Sequence, residues 1–192
     1  MNDFLFYLKE GVNHILDPDG LDHFYFILSF CILYTFNDWR KIVGLVTAFT
    51  VGHCVTLFLS GLELVSINAN TVELLIPITI LLSCVNNFWF LVKDKPSKQQ
   101  LTTTYIILLV FGLIHGLGFS NYIKMMIFDD ESIVLPLLGF NVGIELAQLL
   151  IVAGFLALIS ISTLVLKSKI KWLRFAVNVI IFFLVLQMIL SN

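Results

Sequence analysis

Four histidines, at positions 14, 23, 53 and 115, are the residues of this chain best suited to chemistry. Carboxylates accompany them: Asp17, Asp19 and Asp22 lie beside the first two, and Glu145 stands alone further on. Most of these groups sit in or at the edge of apolar stretches. An ionisable side chain inside bilayer hydrocarbon costs about 2.5–3.5 kcal/mol on insertion scales, so each such group needs a partner or a task. Neutral imidazole is a good metal ligand, and a carboxylate offsets the cation's charge in a low dielectric. Together they suit a borderline divalent ion such as nickel, cobalt, zinc or iron. No HExxH spacing occurs, so the ligands must converge from separate segments.

The elements that position them are transmembrane helices. Hydrophobic residues make up 59% of the 192 and charged residues only 12%, and the mean hydropathy is +0.98. Soluble domains run near 45–50% apolar and about 25% charged. Apolar stretches of roughly 20 residues recur, each long enough to cross about 30 Å of hydrocarbon. The expected fold is an all-α membrane protein forming a single transmembrane domain over 1–192. Six spans are expected, at about 22–37, 41–60, 72–92, 101–121, 134–163 and 172–190. Gly143 and Gly154 are places where the long fifth span could bend. Residues 1–21 hold a shorter apolar segment that is expected to lie at the interface. The N-terminal sequence shows no basic region or small-residue cleavage site, so no signal peptide is expected. Cys31, Cys54 and Cys84 form an odd set within apolar segments, which argues for packing rather than disulfides.

Charge sets the direction. Arg40, Lys41, Lys93, Lys95, Lys98, Lys167, Lys169, Lys171 and Arg174 fall in or beside alternate loops, whereas the opposite side has only Lys9 and Lys124. By the positive-inside rule both termini, and the acidic loop Asp129-Asp130-Glu131, face away from the cytoplasm. The expected location is the bacterial inner (cytoplasmic) membrane. Net charge is −2, with no basic surface for nucleic acid.

Counting 1.5 Å per residue, His53 and His115 lie about 10 and about 9 Å below the outer ends of their helices, and Glu145 about 16 Å below its own. Asp22 and His23 open the first span, and all four histidines fall in this outer zone. Asn141, Glu145 and Gln148 share one helix face, and Thr50, His53 and Thr56 are spaced by three along another. Thr79, Ser83 and Asn86 do the same on the third span. Gly112 and Gly116 have GxxxG spacing, which lets a neighbouring helix approach beside His115, and Gly116 and Gly118 leave room around the imidazole. Plainer readings stand beside these. Asp19 and Asp22 suit a helix cap after the turn at Asp17-Pro18-Asp19-Gly20. Buried Thr, Ser and Asn also serve as interhelical hydrogen-bond glue, and Glu73 suits a solvated helix start.

Four segments resemble a known family: His14-Ile-Leu-Asp-Pro-Asp-Gly20-Leu-Asp22-His23, Phe49-Thr-Val-Gly-His53-Cys-Val-Thr56, Phe111-Gly-Leu-Ile-His115-Gly-Leu-Gly-Phe119 and Gly139-Phe-Asn-Val-Gly-Ile-Glu145-Leu-Ala-Gln148. In this order they resemble the hydrogenase/urease accessory membrane family (HupE/UreJ), whose members are regarded as nickel or cobalt permeases. The resemblance covers about residues 12–150. It implies His14, Asp22, His23, His53, His115 and Glu145 as metal residues, with Asp17, Asp19, Thr50, Thr56, Asn141 and Gln148 in support. The chain departs from some permeases in lacking His-rich capture stretches.

Three functions are compatible with this set. The first is uptake of a divalent transition metal, nickel or cobalt above zinc, with Asp17 and Asp19 collecting the ion beside His14. Thr79, Ser83, Asn86, Asn87 and Gln148 are the polar groups available to continue its path. The second is a metal-dependent, zinc-like intramembrane hydrolase or acyl-transfer enzyme in the outer half of the membrane. Glu145 or Asp22 would be its general base. The third is a membrane subunit supporting a partner complex, and a homo-oligomer is compatible with all three.

Overall fold

The computed structural model describes residues 3–18, 20–93, 98–119, 133–166 and 170–191. Among these residues every regular element is helical. The order is α1 (Asp3–Leu16), α2 (Leu21–Cys31), a 3₁₀ turn (Phe36–Asp38), α3 (Trp39–Gly61), α4 (Ala69–Lys93), α5 (Lys98–Gly118), α6 (Val134–Leu166) and α7 (Ile170–Ser191). The five helices α3 to α7 are long and apolar enough to cross a membrane. Their outward faces carry large apolar side chains, with Leu150 at 65% and Leu164 at 78% exposure. Such continuous apolar surface is stable only against lipid. The chain is an integral, multi-pass membrane protein.

The segment expected to span over 22–37 forms the short helix α2, which stops at Cys31 after 11 residues, about 16 Å. Helix restarts at the 3₁₀ turn, where Thr35 and Asp38 form a reciprocal capping box. The chain between is buried, with Ile32 and Tyr34 inside, and the Tyr34 carbonyl accepts a hydrogen bond from Nη2 of Arg174 on α7. Irregular backbone at membrane depth is tolerated where protein encloses it in this way. α2 is a central half-helix, packed against α1, α4, α6 and α7.

Two helix pairs approach backbone to backbone. On α3 and α5, a Cβ at Gly52 would strike the Leu109 carbonyl, and one at Gly112 would strike that of Phe49. On α1 and α6, Gly11 meets the Phe140 carbonyl and Gly143 meets that of Leu8. The first segment, expected at the interface, is thus packed along α6. α6 runs unbroken through Gly143 and Gly154. A third contact set is polar: Asn87 on α4 donates to the Ser29 carbonyl of α2 and to Oδ1 of Asn178 on α7, which in turn donates to the Cys84 carbonyl. All three cysteines are free. Asp19, Lys124 and the acidic loop 129–131 lie outside the described residues.

Candidate metal centre

The four histidines come from four different helices and meet at one end of the bundle. His14 closes the last turn of α1, His23 the first turn of α2, His53 lies in the upper part of α3, and His115 is in the last turn of α5. Ring centroids of His14 and His23 are 4.7 Å apart, those of His14 and His53 6.2 Å, and those of His23 and His115 5.5 Å. Ligating nitrogens of His14, His23 and His53 all lie within 4.8 Å of one another. Two nitrogens sharing one ion at about 2.1 Å stand at most about 4.2 Å apart, so small ring rotations bring the three onto a single ion.

Hydrogen bonding decides which ring nitrogen each imidazole offers. Nδ1 of His23 donates to Oδ1 of Asp22 at 3.1 Å, and the same oxygen accepts the His23 backbone N–H at 2.9 Å. Nδ1 of His115 donates to the Phe111 carbonyl at 2.8 Å. In both residues this leaves the Nε2 lone pair facing inward, the arrangement that orients metal-ligating histidines. Nε2 of His14, His23 and His115 and both nitrogens of His53 are buried without a hydrogen-bond partner. Oδ1 of Asn141 is also buried and unpartnered. An unmet buried polar atom costs about 1–3 kcal/mol, so these ring nitrogens suit a ligand such as a metal ion that satisfies several at once.

Aromatic rings wall the cluster. Phe119 packs on His14 at 4.0 Å and stacks on Phe140 at 4.8 Å. Beneath, Phe26 and Phe49 lie 5.1 and 5.0 Å from the His115 ring and 4.7 Å from each other. Burial holds the His14 imidazole well below the usual histidine range, and the neighbouring His23 and His53 rings push it the same way. The group is therefore neutral and ready to donate its lone pair near pH 7. His14 also lines a groove of ≈ 520 Å³ with Glu10, Asn13 and Asp17.

The sequence matches the family described as HupE / UreJ protein, over residues 1–191. The chain belongs to the HupE/UreJ family. No curated protein and no solved structure matches it.

Other residues expected at the site of this HupE/UreJ protein are placed around the cluster in different ways. Asp22 is a partner of His23, and Asp17 is exposed at the mouth. Asn141 is buried, with its amide donating to the Leu137 carbonyl. Thr56 bonds the backbone carbonyls of Gly52 and His53. Glu145 is outside the group of converging nitrogens and accepts a hydrogen bond from Thr47 at 2.6 Å. Gln148 likewise accepts one from Thr50 at 3.1 Å. Thr47 went unnoticed in the sequence, although it continues the three-residue spacing of Thr50, His53 and Thr56. The aromatic walls were missed as well, because 18 phenylalanines in an apolar chain give no local signal.

Proposed function

We propose that this HupE/UreJ protein is a permease that takes up a divalent transition metal, nickel or cobalt, through the histidine centre. The observation that carries the reading is the set of unpartnered, buried Nε2 atoms from four helices, inside a protein whose other faces meet lipid. His14, His23, His53 and His115 hold the ion, and Asp22 supplies the negative charge that makes His23 a stronger donor. Asp17 and Glu10 collect cations at the outward mouth, in the orientation that the basic loops favour. An all-imidazole set binds nickel, cobalt and zinc alike, so the preference for the first two rests on the family. Glu145, Gln148 and their threonine partners form a polar layer that ties α3 to α6 beside the ion.

A second reading, a metal-dependent intramembrane hydrolase, draws support from the aromatic floor that closes the site on one side. Asp22 and Glu145, the carboxylates available as its general base, each accept a hydrogen bond that orients them, from His23 and Thr47. Purified protein analysed for metal, beside the His53→Ala/His115→Ala variant, tests the centre. Stoichiometric metal in the wild type and none in the variant is expected. Nickel or cobalt flux into proteoliposomes then separates permease from enzyme. A protein that binds the ion and never moves it would end the transport reading.

A further inference from the structure

Two of the histidines have an acceptor that orients the ring: His23 has the Asp22 carboxylate and His115 the Phe111 carbonyl. His53 is fully buried and is one of the three residues whose nitrogens converge, but no such acceptor comes from its own helix. The hydroxyls on its stripe of α3 are engaged elsewhere. Thr56 bonds the Gly52 and His53 carbonyls, and Thr50 bonds the Val46 carbonyl and Gln148. What faces the ring comes from α6. The end of α3 meets the start of α6, since a Cβ at Gly61 would strike the Ile133 side chain, so the two helices run antiparallel. Eight residues back from Gly61 is His53, and eight on from Ile133 is Asn141, each about 12 Å along its helix. Deeper in the bundle the bond from Thr47 to Glu145 continues this register. Asn141 is accordingly the α6 side chain that approaches the His53 ring.

One orientation of the Asn141 amide suits this place. Its Nδ2 donates to the Leu137 carbonyl at 2.8 Å, and turning the amide over would set oxygen against oxygen there. Oδ1 is therefore the atom left over, buried and unpartnered, beside two imidazole nitrogens in the same condition. A neutral imidazole carries one N–H and one lone pair. Opposite an amide oxygen the N–H is attracted and the lone pair repelled, and a low dielectric enlarges the difference. We infer that Asn141 is the positioning residue for His53: its Oδ1 holds the ring in the tautomer that turns the N–H towards α6 and leaves the opposite lone pair for the ion. The inference rests on the metal centre for its purpose, although the pairing itself needs no ion. Three histidines on three helices are then each directed by a different oxygen, a carboxylate for His23, a main-chain carbonyl for His115 and a side-chain amide for His53. The amide directs its ring without adding to the negative charge that Asp22 supplies.

Nitrogen NMR of the imidazoles reads the tautomer without metal. Full-length protein carrying isotope-labelled histidine is compared in chelator with Asn141→Leu and Asn141→Asp, and the His53 signals are those absent from His53→Ala. In the wild type His53 should give two well-separated signals, one from a protonated and one from an unprotonated ring nitrogen. Asn141→Leu fills the space without an acceptor and should draw the two signals together as the tautomers exchange. Asn141→Ser, too short to reach the ring, should do the same without the apolar bulk. By calorimetric titration nickel affinity should fall about 10–100-fold in Asn141→Leu, the usual loss for an outer partner of a ligand, and be retained in Asn141→Asp, which keeps an oxygen in place. A role in packing alone gives the opposite order, because a buried carboxylate is far costlier than a leucine. A single His53 tautomer that survives Asn141→Leu and Asn141→Ser overturns the inference, and so does wild-type nickel affinity in both. Loss of nickel with unchanged His53 signals also overturns it, and makes Oδ1 a ligand of the ion instead. Wild type that binds no nickel, yet loses its single His53 tautomer in Asn141→Leu, upholds the pairing and removes the metal centre.

Discussion

Replacing His53 by leucine should make the metal-free protein more stable, not less. The ring is fully buried on α3, and neither of its nitrogens makes a well-formed hydrogen bond, Asn141 being the side chain that approaches it. Each unmet nitrogen costs about 1–3 kcal/mol, and an apolar side chain of similar size removes both penalties. Imperfect packing among Phe49, His14 and Gly116 gives back about 1 kcal/mol. The expected net gain is roughly 1–5 kcal/mol, or a rise in melting temperature of about 2–4 °C for each kcal/mol at this chain length. Metal reverses the ranking. A site occupied at a hundredfold excess over its Kd stabilises the wild type by about 2.7 kcal/mol, and the variant forfeits most of that. The assay is thermal unfolding in detergent followed by tryptophan fluorescence, with chelator and then with nickel. His53→Leu should melt above the wild type in chelator and show little response to nickel. A variant that is less stable in chelator, or that keeps a wild-type nickel shift, would refute the argument that these nitrogens are held unmet for a ligand.

Further outcomes follow from the same geometry. Asp22→Asn preserves size but removes the carboxylate charge on His23, and should weaken nickel binding about 10–100-fold by calorimetric titration. Glu145→Gln leaves the converging nitrogens untouched and should keep wild-type metal stoichiometry by elemental analysis, while flux in proteoliposomes falls. Gly112→Ala drives a methyl into the Phe49 carbonyl and should destabilise the bundle by about 1–3 kcal/mol, seen as a lower melting temperature. Metal binding should persist below pH 6.5, because burial depresses the His14 pKa and the folded site refuses protons that free histidine accepts. The sign for stability is the converse: the unfolded chain binds the proton first, so metal-free protein loses stability as pH falls below 6.5 until the depressed pKa is passed. Loss of metal centred at pH 6.5 in an equilibrium titration would contradict this.

The centre was legible in outline because its residues are expensive where they stand. His53 and His115 fall at matching depth by a simple count of residues, and Asp22-His23 opens a helix beside them. GxxxG spacing at Gly112 and Gly116 signalled the close approach of α3 and α5, and the same four-residue spacing at Gly139 and Gly143 signals that of α1 and α6. Other features have no local period. The stop of α2 at Cys31 goes with a cap at Thr35, four residues on, and with a hydrogen bond to Tyr34 from Arg174, 140 positions beyond it. Glu145 reads as a ligand from depth alone, and only the position of α3 reveals Thr47 as its partner. The aromatic floor arises where Phe26 and Phe49 converge against His115, and their type sets no direction.

The glycine contacts divide the bundle into two stiff planks, α1 with α6 and α3 with α5, each carrying its own histidines: His14 on one, His53 and His115 on the other. An ion held by His14 and His53 together would act as a clasp across the seam. Thr47 and Thr50 of α3 also reach across to α6, each a neutral hydroxyl bonded to an acid or amide oxygen. Bonds of that kind re-form readily after a small slide. The seam would then be the direction along which occupancy of the centre is felt, as tension between the two planks.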